Sequence, residues 1–416
     1  MALTEMVIMP GADYQDIVDA TREKTGGTDL LKSGEVGAAI RGIKSGGFPN
    51  GTEWTKTLSV SGTVTMMKFV HDRWVAGFRY SKEEGIYWSL DGQEWHIVGD
   101  EYVEQVAYGN GVWVVASMTH GVYYSDDLET LTLSNIPTPV SEVNVHHSGN
   151  MWVLTSSEGV YYSNDGKTWT ISNLSEISGS AKIVRAGGVW YVWGYTGNIY
   201  FSLDGKNWED TGLAVNLYQS RVLYADGVWV AIYAPESGDT VGAAYSIDGR
   251  VWSDANFAVP KSGSYAGMKI TNHNGLWVAL TRDNSYYSYD GQTWVPSETG
   301  CVGSSEVMYA NNMWLSLVGS DAWYSVDGQV WEKSSNSGLP SGANYTLNGY
   351  YNGLWFASCT STHGIFYSAD GKEWTKADAA EYMGVKPLDF AGYAKGVYVA
   401  YSSSSGFYRS VSWEPS

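Results

Sequence analysis

The sequence predicts an all-β fold: a β-propeller of about nine four-stranded blades (eight is the alternative), preceded by a small N-terminal helical module. Three observations carry this. An aromatic residue followed by Ser-x-Asp-Gly-x-x-Trp recurs along the chain, seven times intact and once altered. A second phrase, a tight-turn dipeptide followed by Trp-Val-Ala or a close variant, precedes each copy. The two ends of the repeat region complement each other. A period near forty residues is the mark of a repeat architecture.

The first phrase ends at Trp95, Trp169, Trp208, Trp252, Trp294, Trp331 and Trp374, and its altered copy is Tyr124-Ser-Asp-Asp-Leu-Glu-Thr-Leu131. Its aspartates are Asp91, Asp127, Asp165, Asp204, Asp248, Asp290, Asp327 and Asp370, at steps of 36 to 44 residues. The second phrase has nine aromatic anchors: Trp74, Trp113, Trp152, Trp190, Trp229, Trp277, Trp314, Trp355 and Tyr398. Asn-Gly and Asp-Gly between β-rich runs signal hairpins, because a type I′ turn needs positive φ at both central residues. Each unit therefore reads as strand A, a tight turn, strand B, a loop, strand C, an Asp-Gly turn and strand D. Four antiparallel strands in about forty residues make a propeller blade.

The ends support a ring. Asn50-Gly-Thr-Glu-Trp54 reads as a lone turn and strand D, while the last unit, from about Leu388 to Ser410, has A, B and C. The strand around Trp54 can complete the last blade and remove the open edges. The propeller is thus expected to span 48–416. Nineteen of twenty tryptophans fall in strand slots and read as packing between blades; Trp193 is the exception.

Composition narrows the function. The 416 residues carry 25 basic and 44 acidic side chains, a net charge of −19. Nucleic-acid phosphates and anionic membranes both call for a basic surface, so neither partner is expected. No apolar run approaches a membrane span, and the N-terminus lacks the basic and apolar regions of a signal peptide. Synthesis in the cytoplasm follows, with any action outside reached by another route. Cys301 and Cys359 read as separate free thiols, with a disulfide between them the alternative. No cofactor or metal pattern is present. His146-His147 reads as a solvated pair in or near an A–B turn rather than a ligand set.

The Asp-Gly phrase resembles the Asp-box, the hairpin signature of sialidases, sortilin-type receptors and other propellers. The match covers nearly all of 50–416, and it lacks the family's residue between Asp and Gly. The resemblance implies that the box is structural and lies away from any active centre. Asp91, Asp165, Asp204, Asp248, Asp290, Asp327 and Asp370 are accordingly expected to form turns, with the carboxylate accepting backbone N–H bonds. Sialidase chemistry would need three arginines, a Tyr–Glu pair and an acid/base Asp. The family's Phe-Arg-Ile-Pro is absent, and Phe78-Arg-Tyr-Ser81 is the nearest stretch. No catalytic residue is assigned, and the sequence leans away from an enzyme.

Residues 1–47 stand outside the repeat. Asp13–Gly26 and Ser33–Ile43 read as two short helices with apolar faces at Tyr14, Ile17 and Val18, and at Val36, Ala39, Ile40 and Ile43. So few residues cannot hold a core alone. The run Asp19–Glu35, followed by Ala38-Ala-Ile-Arg-Gly-Ile43, resembles a segment of tail and fibre proteins from phages and prophages of Gram-positive bacteria. That resemblance implies a virion protein whose N-terminal module attaches to other tail proteins while its propeller faces outward.

In such a ring the A–B and C–D turns share one face, and the B–C and D–A loops share the other. Length variation gathers in the second class, often the binding face. The longest insertions are 77–85, 234–242, 256–269, 334–347 and 377–387. Candidate ligand-binding residues there are Trp193, Tyr195, Arg79, Tyr80, Tyr233, Glu236 and Tyr265, with Phe78, Asp239, Tyr345 and Tyr382 alongside. Aromatic faces beside carboxylates and amides suit sugars. The expectation is a tail-associated receptor-binding protein that recognises a host-surface ligand, a glycan before a protein. It would act as a homo-oligomer, since weak sugar sites gain from avidity. The competing readings are a glycan-cleaving depolymerase with two catalytic carboxylates and a structural virion decoration protein.

Overall fold

A computed structural model of the chain describes residues 54–410 apart from 80–84, 101, 118, 137–142, 176, 178–180, 195, 217–220, 234–239, 261–268, 282–283, 302–305, 360–363, 378–387 and 403–405. The helices expected in the N-terminal module lie outside the described residues. The rest is a nine-bladed propeller. Nine sheets of four antiparallel strands follow one another. The first is Thr63–Val70, Arg73–Arg79, Ile86–Ser89 and His96–Val98, and the eighth ends at Thr375–Lys376. Neighbouring blades meet through their A strands, which form the inner ring.

The ninth blade joins the two ends of the repeat region. Leu388–Ala394, Val397–Ser402 and Gly406–Ser410 supply strands A to C. Trp54–Leu58 supplies strand D, with Trp54 opposite Ser410. The ninth C–D turn is therefore absent, and the chain enters and leaves the ring where it would be. Tyr401 ties the closure further, its hydroxyl donating to the Gly62 carbonyl at 3.0 Å.

The tight A–B turns take the backbone that their sequences require. Asn110 and Gly111 have φ of 49° and 82°, and Asn274 and Gly275 have 47° and 80°. Asn311-Asn312 reaches the same geometry without glycine, at 52° and 56°. Asparagine tolerates this left-handed region better than other side chains.

Strand B is the core of each blade. Its tryptophans, from Trp74 to Trp355, are at most 2% exposed. A ladder braces them from strand A. Tyr108, Tyr224, Tyr309 and Tyr350 pack on Trp113, Trp229, Trp314 and Trp355, with ring centroids 4.8–5.1 Å apart. Phe69 and His147 fill the same slot against Trp74 and Trp152. In blade four the slot holds Arg185, its guanidinium 5.3 Å from the Trp190 ring centre. Such pairs add about 0.5–1.5 kcal/mol beyond area burial.

This ladder corrects the reading of His146-His147. Both lie at the end of the inner strand Asn144–Ser148, beside the A–B turn as expected, but half-buried rather than solvated. His147 is drawn out of solvent because it serves as the aromatic brace. Cys301 and Cys359 are buried free thiols, and burial pushes the Cys301 thiol up to about 12.

Candidate functional site

The two faces of the ring differ in construction, and on the framework face the C–D turns share one hydrogen-bond network. In each C–D turn the Asp Oδ1 accepts the backbone N–H two residues on, at 2.7–2.9 Å. It accepts the N–H three residues on at 2.7–3.2 Å. The buried serine hydroxyl donates to the same oxygen and accepts the N–H after the aspartate. Ser163, for example, donates to Asp165 at 2.8 Å and accepts from Gly166 at 2.9 Å. Trp294 closes the turn by donating from Nε1 to the Gly291 carbonyl at 3.1 Å.

These bonds stabilise the ionised carboxylate. At Asp204 partial burial works upward, but the N–H groups of Asn207 and Lys206, the Asn207 amide and the Ser202 hydroxyl outweigh it, and the carboxyl falls to about 2. The same balance holds Asp91, Asp165, Asp290, Asp327 and Asp370 below their ordinary value. At Asp127 and Asp248 the two backbone N–H bonds are the largest effects and act in the same direction.

The glycine of the turn has a second task. Each sits on strand B of the preceding blade. A Cβ on Gly249, at φ +73°, would lie 2.7 Å from the Tyr191 hydroxyl oxygen, and on Gly92 2.7 Å from Val399. The altered copy shows what glycine spares the others. Leu128 occupies the slot with φ of 62°, its side chain is fully buried, and the Ser125–Asp127 network is intact. Blades are also clamped by amides just after strand D. Asn135 grips the Trp169 backbone with both amide atoms, at 2.8 and 2.7 Å, and Asn173 does the same to Trp208 at 2.9 and 2.8 Å. The aspartates and their serines are thus occupied by framework. Among the described residues no three His, Cys, Asp or Glu side chains converge as metal ligands would.

The opposite face carries the variation. Every internal gap in the described residues lies, in sequence, in or at the edge of a B–C or D–A connection. The insertions 234–242 and 256–269, expected as loops, are partly strand in blade five, and blade four is extended in the same way. In blade four, Thr196–Ser202 pairs with Glu209–Asn216, and in blade five Thr240–Ser246 pairs with Ser253–Pro260. Their D strands have eight residues each, where most other blades have two. Both ribbons shift register, at Asn198/Tyr200 and at Gly242/Ala244, and a bulge re-aims the strand beyond it. In the first, Thr211 donates to the Ile199 carbonyl at 2.7 Å and Asp210 accepts the Gly212 N–H at 2.7 Å.

The sequence candidates divide around these ribbons. Trp193 ends strand B of blade four and Tyr233 ends strand B of blade five. Glu236 and Tyr265 fall in connections of blade five and Tyr195 in blade four, all outside the described residues. In sequence, five of the seven candidates belong to two adjacent blades, four and five, or to the connection that leaves blade five. Arg79 ends strand B of blade one, a distant blade, and Tyr80 follows it outside the described residues.

The Trp193 ring is 6% exposed and packs with Tyr191, Ile199, Phe201 and Trp229. It lies within the paired part of strand B, opposite Ile199, on the side that meets blade five. Phe78 and Tyr345, grouped with the loop aromatics on sequence alone, are buried as well. Phe78 packs edge-on against Tyr87 and Tyr401, and the Tyr345 hydroxyl donates to the Pro340 carbonyl at 3.0 Å. Sequence reasoning missed the strand-D ribbons, although Thr-Gly-Leu-Ala-Val and Asn-Phe-Ala-Val-Pro carry the β-branched and aromatic residues of strands.

No family model matches the chain, and no curated protein matches it. Among solved structures it is similar to the computationally designed Ika8 protein, at 13% identity over 77% of this chain and 99% of that one, with a TM-score of 0.47. It is similar to BamB from Moraxella catarrhalis, at 12% identity over 75% and 95% of the two chains, TM-score 0.46. It is also similar to a GH74 enzyme from Niastella koreensis, at 17% identity over 82% and 66%, TM-score 0.30.

Proposed function

We propose that the protein is a tail-associated receptor-binding protein of a phage or prophage, which recognises a host-surface glycan through the loop face of blades four and five. One observation supports this reading above the others. Trp54, the residue at which segment 1–53 joins the ring in sequence, lies on the framework face, where the ninth C–D turn would be. The ribbons of blades four and five and the strand end at Tyr233 belong to the opposite face, and Tyr195, Glu236 and Tyr265 fall in the connections of that class in sequence. A protein held by residues 1–47 would present that opposite face outward. Arg79 and Tyr80 would contribute from blade one only to a ligand long enough to cross the ring. Trp193 packs at the end of the strand that precedes Tyr195 in sequence.

The test is binding of the full chain to intact Gram-positive cells infected by the parent particle, with released reducing ends assayed in the same tube. Saturable binding without sugar release, weakened at least about tenfold by a Tyr195→Ala/Tyr265→Ala double variant, is the expected result. Release of reducing ends would replace this reading with a depolymerase. Absence of binding would leave a structural virion protein.

A further inference from the structure

The residue before each turn aspartate lies outside the C–D hydrogen-bond network, which uses only the serine, the aspartate and backbone N–H groups. Blades two, three and eight place Asp126, Asn164 and Ala369 there. Blades four to seven place Leu203, Ile247, Tyr289 and Val326, which are 51–77% exposed. Three residues after the aspartate, where the other turns carry Thr, Asn or Glu, blades five and seven add the exposed Val251 and Val330. Outside this arc the only large apolar side chain in either slot is Leu90, in blade one.

The turns of the arc are tied edge to edge. Gln329 Nε2 donates to the Tyr289 hydroxyl at 2.8 Å across the seam of blades six and seven, and Val330 bridges to Thr299 across the same seam. Asn256, on strand D of blade five, donates its N–H to the Gln292 carbonyl in the turn of blade six at 3.2 Å. Tyr191 of blade four donates to the Gly249 carbonyl in the turn of blade five. A contiguous exposed apolar patch marks an interaction surface. This one is set among the ionised carboxylates of Asp248, Asp290 and Asp327, with Arg250 the one cation in the same three turns.

The chain outside the described residues supplies an occupant. Segment 33–43 reads as a helix with Val36, Ala39, Ile40 and Ile43 on one face, too short to bury that face alone. Lys32, Arg41 and Lys44 outnumber Glu35, so the segment is basic in a chain of net charge −19. Trp54, where the chain enters the framework face, is two blades from Val326 and Val330. The residues 44–53 between them and the helix can span about 33–36 Å, while a ring of this length has a radius of gyration of about 21 Å. A second copy of the ring fits the arc less well, because it would set ionised turns against ionised turns.

We propose that the arc of Leu203, Ile247, Val251, Tyr289, Val326 and Val330 is the docking surface for the chain's own segment 33–43. The apolar face of the helix covers the arc, and Lys32, Arg41 and Lys44 meet the turn aspartates. The docking is independent of what the loop face binds, and it leaves the polar side of the segment for any further partner.

Hydrogen exchange of the full chain, read by mass spectrometry on peptides covering 33–44, tests this. The segment should be protected. Ile247→Ser/Val326→Ser should lower that protection at least about tenfold, with the thermal midpoint within about 2 °C because both side chains are exposed. Leu90→Ser, in the isolated turn of blade one, should leave it unchanged. From the other side, Ile40→Ser/Ile43→Ser should raise the nitration rate of Tyr289 about threefold or more as the covered fraction falls. An unprotected segment in the native chain overturns the proposal. So does protection retained in Ile247→Ser/Val326→Ser, or an equal loss in Leu90→Ser. Should the double ring variant unfold, the Tyr289 rate decides, and an unchanged rate overturns the proposal. Protection that rises with protein concentration assigns the segment to a second copy and overturns docking within the chain.

Discussion

The two faces of this ring use the same strands for different ends. On the framework face eight C–D turns repeat one hydrogen-bond pattern to within a few tenths of an ångström, although one of them has lost its glycine and its tryptophan. On the loop face two blades have lengthened strands C and D, D to eight residues where most blades have two, and the connections differ from blade to blade in length. The difference shows where selection for packing ends. A turn that rests on the preceding blade is fixed by its neighbour, while a connection that rests on nothing can lengthen.

The sharpest way to break this comparison is to treat Trp193 as a surface residue. It ends a strand on the variable side but packs as core. Trp193→Ala should therefore cost about 3–5 kcal/mol in denaturant unfolding. A cost below about 0.5 kcal/mol would mean that the ring faces solvent and belongs to the ligand surface.

Next comes the rigidity of the framework turns. Gly249→Ala forces a Cβ against the Tyr191 hydroxyl at positive φ, and should cost about 1–3 kcal/mol. Leu128→Gly relieves the equivalent strain but empties a buried pocket, and should still destabilise by about 1 kcal/mol after the two effects offset. If Leu128→Gly stabilises instead, the turn geometry outweighs the packing, and glycine is retained elsewhere for φ alone.

The acid limb of stability sharpens the same contrast. The turn carboxylates have folded pKa values below their unfolded values. Their contribution is complete above about pH 4 and is lost as pH falls toward about 2, the value at Asp204. Thermal midpoints should drop through that window, and Asp204→Asn should flatten the drop by a small, measurable share. The smallest expected effect is at Tyr265. Tyr265→Ala should leave the thermal midpoint within about 1 °C while host-cell binding weakens. A large fall in midpoint would make it framework.

Most of the ring was legible in the sequence because its devices are local. Asn-Gly and Asp-Gly turns, the Ser-x-Asp contact and the alternating strand B each announce themselves within a few residues. The closing strand at Trp54 was legible from a blade lacking one strand and a strand lacking a blade. Register contacts between distant strands were not. Nothing near His147 says that it braces Trp152, and only the recurrence of Tyr five residues before the strand-B tryptophan, at 108, 224, 309 and 350, could have revealed the slot. The Asn135 and Asn173 clamps left a signal in Leu-Ser-Asn and Ile-Ser-Asn, spaced like the repeat. Trp193 stood out as an exception to a slot, but a slot exception says nothing of the direction in which the side chain points.

The pairing of Trp54 with Ser410 also sets a clock. At ribosomal rates of about 5–20 residues per second, the partner strand of the first strand emerges roughly 20–70 s after it. For that interval Trp54–Leu58 has a free hydrogen-bonding edge and eight nascent blades lack their seal. The nascent chain is thus exposed to pairing with its neighbours on the same messenger until the last blade is made. Expression at low temperature with few ribosomes per message should then raise the soluble yield.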